Sequence, residues 1–66
     1  MVITIYTGLQ RKHHVKNDIR FVKGDNDTNT IHVTFWSGRK AKYKCDDRNY
    51  YIAAYERLRR NIQYPF

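Results

Sequence analysis

The sequence predicts a small α+β domain, an antiparallel sheet of three to four strands covered on one face by a C-terminal helix. Three patterns predict it. Residues 30–45 alternate apolar and polar side chains on both sides of a Ser-Gly break. Tyr51, Tyr55, Leu58 and Ile62 recur at helical spacing, and Val2–Thr7 is an unbroken run of β-favouring residues.

The first strand spans Met1–Thr7 and ends at Gly8. Gln10–Asn17, with Arg11, Lys12, His13, His14 and Lys16, has too few apolar side chains to be core and reads as a loop, mobile, or an irregular strand edge. A short strand follows at Asp18–Lys23, with Ile19 and Phe21 on one side and Arg20 and Val22 on the other. Gly24–Asn29 has the composition of a turn.

Thr30–Trp36 and Lys40–Cys45 form a hairpin, and its register follows from its pattern. Opposed residues of an antiparallel pair share a face. A loop of Ser37, Gly38 and Arg39 opposes Phe35 to Ala41 and Val33 to Tyr43, whereas a two-residue loop would oppose Phe35 to Lys40. The odd-length loop keeps the apolar set together. Asp46 or Asp47 then caps an amphipathic helix whose acidic start and later Arg57, Arg59 and Arg60 suit its dipole, and Pro65 stops it.

At 66 residues the chain makes one domain, residues 1–66, in a size range where a core supplies only about 3–5 kcal/mol. Six tyrosines, three phenylalanines and one tryptophan compensate with large apolar area per side chain. The lone Cys45 forms no internal disulfide, and the chain has neither a membrane-length apolar run nor a leader-like N-terminus. These features predict a cytoplasmic protein.

Charge speaks about partners. Thirteen Lys and Arg face six Asp and Glu, for a net charge of +7. Four of the acids, Asp25, Asp27, Asp46 and Asp47, fall in turns. The predicted sheet face away from the helix collects Arg20, His32, Thr34, Trp36, Lys40, Lys42 and Lys44, with Arg39 beside it in the loop and no acid among them. Lysines meet phosphates and an aromatic packs on a base or sugar, so the expectation is a non-enzymatic domain that binds nucleic acid, DNA or RNA. Arg11 and Lys12 extend the candidate set as a basic arm.

Other chemistry is poorly supported. Adjacent His13 and His14 point different ways along a chain and have no Cys, Asp or Glu at ligand spacing, so no metal is expected. Cys45 falls on the core side. There is no glycine-rich phosphate loop and no carboxylate pair outside turns, so neither cofactor, small-molecule substrate nor catalysis is expected. The rival expectation is a protein-interaction module, an inhibitor or adaptor docking its basic face on an acidic partner, or a homodimer anchored by Trp36 and Tyr50. The layout resembles the small arm-type DNA-binding domains of some mobile-element integrases, a likeness that carries no residues across. A basic domain of this size suits a phage, plasmid or mobile-element product.

Overall fold

The computed structural model describes residues 2–62. The α+β class is observed, with five strands divided between two antiparallel sheets. Strands β1 (Val2–Tyr6) and β2 (Arg11–Val15) make a hairpin. A 3-10 turn at Lys16–Asp18 leads into the second sheet, β3 (Ile19–Asp25), β4 (Thr30–Phe35) and β5 (Lys40–Lys44), in that order. Helix α1 (Arg48–Asn61) closes the fold. It lies against β1, β3 and β4, so helix and first hairpin together cover one face of the three-stranded sheet.

The core explains this arrangement. Ile3 and Ile5 of β1, Ile19 and Val22 of β3, Ile31, Val33 and Phe35 of β4, Tyr43 and Cys45 meet Tyr51, Ala54, Leu58 and Ile62. The helical positions are spaced three or four apart, which puts them on one stripe. Asp47 is the N-cap: its carboxylate accepts the Tyr50 N–H at 3.1 Å. The helix ends with the Ile62 N–H bonded to the Leu58 carbonyl, and the stop expected from Pro65 lies outside the described residues. Among the described residues no helix is long and apolar enough to cross a membrane.

Three local expectations need correction. Within the segment read as a loop or an irregular strand edge, Arg11–Val15 is the regular strand β2, paired residue for residue with β1 from Val2↔Val15 to Tyr6↔Arg11. Its inward positions are Lys12, opposite Ile5, and His14, opposite Ile3, so polar side chains close a largely apolar layer and the strand lacks an apolar alternation.

The second hairpin keeps a three-residue loop, but that loop is Trp36-Ser37-Gly38. Phe35 N–H bonds the Arg39 carbonyl at 2.9 Å, and Thr34 opposes Lys40 where Lys42 was expected. Gly38 supplies the left-handed residue, φ +93°, that closes such a loop. Because β5 slides by two residues, its inner and outer sets are unchanged.

In β3 the pairing jumps from Ile19↔Phe35 to Phe21↔Thr34, leaving Arg20 as a bulge. Val22 and Gly24 therefore face inward and Phe21 outward, which reverses the expected assignment of Phe21 and Val22. Phe21 is 40% exposed and Val22 buried.

Candidate nucleic-acid interface

The bulge and the register together define the uncovered face of the three-stranded sheet. It consists of three rows running across the strands: Phe21–Thr34–Lys40, Lys23–His32–Lys42 and Asp25–Thr30–Lys44. The four lysines and Phe21 are exposed, His32 and Thr34 half-buried between them, and Thr30 buried. Neighbouring strands lie about 4.8 Å apart and alternate residues of one strand about 6.8 Å apart. Lys40, Lys42 and Lys44 thus form a regular line of cations on the edge strand, and Lys23 stands across His32 from Lys42.

The expected face is therefore partly right. His32, Thr34, Lys40, Lys42 and Lys44 are on it, as predicted. Lys23 and Phe21 belong to it and were missed. The signal was present, since strict alternation from Ile19 and Phe21 would have pointed Lys23 into the core, a conflict that a bulge relieves. Asp25 corrects the expectation of a face without acid. It occupies one corner, and its Oδ1 accepts the Asp27 N–H at 3.0 Å, the turn role anticipated for it.

Five predicted residues, Arg11, Lys12, Arg20, Trp36 and Arg39, are elsewhere. Trp36 sits in the β4–β5 loop just beyond the Thr34–Lys40 row, 68% exposed, and Arg20 of the bulge stacks its guanidinium over the indole at 5.5 Å. Arg39 opposes Phe35 and so projects from the other side of the sheet, its guanidinium 5.4 Å from the Phe35 ring centre. Arg11 and Lys12 are held in β2, with Arg11 over Tyr6 at 5.7 Å, and so do not form an arm. Trp36 and Tyr50 are not one patch either. The Trp36 N–H bonds Asp18 beyond the end of β2, whereas Tyr50 packs edge-on against Tyr6 near the opposite end of that hairpin.

The two histidines of β2 point to opposite faces. His13 Nδ1 lies 2.8 Å from the Thr4 hydroxyl, and His14 turns inward to tie the two sheets together. The His14 ring centre is 5.5 Å from both Phe35 and Tyr43, and Nε2 is 2.8 Å from the Tyr43 hydroxyl. Burial, with the charges of Lys12 and Arg39 and neighbouring His13, pushes the His14 pKa below its ordinary 6.5. Burial raises that of Tyr43, outweighing Arg39. A protonated phenol and a neutral imidazole assign the bond as Tyr43 O–H donating to Nε2.

A stability consequence follows. Between the folded and unfolded pKa of His14 the unfolded chain holds more protons, so stability rises with pH there. The contribution of neutral His14 is complete above about pH 6.5 and is lost as pH falls toward its lower folded value. Urea unfolding between pH 7 and about pH 5.5 should show a steeper loss in the wild type than in His14→Gln, which retains a polar group at that position but does not titrate. Equal slopes would remove His14 as the cause.

Cys45 is buried and its thiol pKa is raised, first by burial and then by Asp47, which makes it a poor nucleophile. Among the described residues no group of three His, Cys, Asp or Glu converges as a metal site. No protein-family model, curated protein or solved structure matches this chain.

Proposed function

We propose that the domain is a non-enzymatic nucleic-acid-binding module that lays a phosphate backbone across the outer face of β3–β4–β5. One observation carries this reading: four lysines, Lys23, Lys40, Lys42 and Lys44, occupy one uncovered face with a single carboxylate at its corner. Lysines on edge strands also discourage edge-to-edge pairing, and β3 and β5 are both edges of this sheet. Stability alone gives no reason to gather these charges, since self-repulsion opposes it. His32 and Thr34 offer hydrogen-bonding groups between the cations, and Phe21 offers an apolar surface to a sugar or base.

Counterion release makes the proposal quantitative. If four lysines each neutralise one phosphate, the plot of log affinity against log salt should have a slope of about −3 for single strands and about −3.6 for duplex. Fluorescence anisotropy of labelled DNA and RNA oligonucleotides, titrated from about 50 to 200 mM salt, measures it. Replacing Lys42 and Lys44 by Ala should flatten the slope by about 1.4 to 1.8. No binding at the low-salt end, or an unchanged slope in the double variant, would overturn the reading. Retention of one acidic protein from a nuclease-treated lysate by this face would then favour the adaptor alternative.

A further inference from the structure

The open end of the three-stranded sheet carries a feature that the lysine rows do not use. A cleft of about 470 Å³ runs between β2 and the β4–β5 loop, lined by His13, His14, Asp18, Phe35, Trp36 and Arg39 among others. Its volume is in the range of small-molecule sites. Its lining supplies what a nucleotide needs: aromatic rings, a guanidinium, and in Asp18 an acceptor for an exocyclic amino group.

The walls are held in place by the fold. The Trp36 N–H bonds the Asp18 carbonyl at 2.9 Å, which fixes the loop against the turn that follows β2. His14 is fixed by Tyr43, and Arg39 lies over Phe35. Arg20 caps one side of the indole, and the large exposure of Trp36 leaves room for a second planar group. The cleft also lies one residue beyond the Phe21–Thr34–Lys40 row. Because Phe35 and Arg39 belong to the side away from the lysines, a strand crossing the lysines enters the cleft by bending around the β4–β5 loop at Trp36.

We propose that this cleft receives one unpaired nucleobase, stacked on Trp36 with its phosphate near Arg39, so that the domain prefers single-stranded over duplex nucleic acid. The preference rests on the nucleic-acid reading, while the cleft itself makes a separate claim. A base held in a duplex is stacked on both faces and paired along one edge and does not enter, whereas an unpaired base loses little by moving to an aromatic platform.

Trp36 is the only tryptophan in the chain, so its fluorescence reports the cleft directly. The probes are an oligodeoxycytidylate of roughly ten nucleotides, a duplex of the same length, and cytidine monophosphate, which is too small to span the lysine rows. The single strand and the mononucleotide should each change Trp36 emission saturably, and the duplex should not. The mononucleotide response should survive Lys42→Ala with Lys44→Ala and be lost in Arg39→Ala. Trp36→Ala, read by anisotropy, should weaken single-strand binding at least about fivefold while changing duplex binding less than about twofold. Both residues are exposed, so neither variant should unfold the domain.

Oligonucleotide binding with silent Trp36 emission would overturn the cleft and leave the lysine face standing. Equal weakening of single strand and duplex by Trp36→Ala would do the same. A mononucleotide response with no oligonucleotide binding would sink the phosphate-face reading and keep the cleft as a nucleotide site.

Discussion

Leu58→Ala should abolish cooperative thermal unfolding at ambient temperature, leaving a chain already largely unfolded. Leu58 is fully buried at the centre of the helical stripe formed by Tyr51, Ala54 and Ile62, and it contributes to the core formed with both sheets. Truncating a buried leucine to alanine removes transfer free energy and leaves a cavity, a loss of about 2–5 kcal/mol. A domain of this size has only about 3–5 kcal/mol to lose. Ile52, on the same helix but 43% exposed, provides the contrast. Ile52→Ala should stay within about 0.5 kcal/mol of the wild type. Far-UV circular dichroism against temperature checks both, and a folded, cooperative Leu58→Ala variant would mean that the helix is not the main lid of the core.

The helix stripe and the faces of β4 and β5 could be read from the sequence because a helix repeats every 3.6 residues and a strand every two. Even the misplaced loop did no harm to the faces. Moving it from Ser37–Arg39 to Trp36–Gly38 slides β5 by two residues, and two is the period of a strand. It did move Trp36 off the lysine face and Arg39 to the opposite side, where both now border the cleft.

The parts that could not be read have local causes. Strand β2 presents Lys12 and His14 inward, so the usual apolar alternation is missing and only its partner β1 reveals it. The Arg20 bulge inserts one residue without any glycine or proline to mark it. Two aromatics were misplaced for separate reasons: the bulge puts Phe21, expected in the core, on the outer face, and the shifted loop takes Trp36 off that face. The cleft depends on contacts between His14 and residues 21 and 29 positions later, a separation that no local pattern records.

Gly8→Ala should be strongly destabilising, and Gly38→Ala identifies the reason. Both glycines have left-handed backbone, φ +88° and φ +93°. An L side chain there costs roughly 1–2 kcal/mol. Their surroundings differ. A Cβ on Gly38 meets nothing within 4 Å, whereas one on Gly8 would stand 2.6 Å from Asp46 Cβ and 2.8 Å from the Tyr50 ring.

Neither obstacle at Gly8 can yield easily. The Asp46 N–H is bonded to the Thr7 carbonyl at 2.8 Å, and Thr7, fully buried, organises the β1–β2 turn by accepting the Leu9 and Gln10 N–H groups on its hydroxyl. Tyr50 is one wall of the contact with Tyr6 and forms the first turn of the helix. Overpacking of this kind adds about 1–3 kcal/mol to the backbone cost. Gly38→Ala should therefore lose about 1–2 kcal/mol and stay folded, and Gly8→Ala about 2–5 kcal/mol, enough to unfold much of the population. Urea titration of the two variants side by side measures the difference. Equal losses would show that the strained backbone alone matters and that the turn, β5 and the helix start are not packed against one another as described.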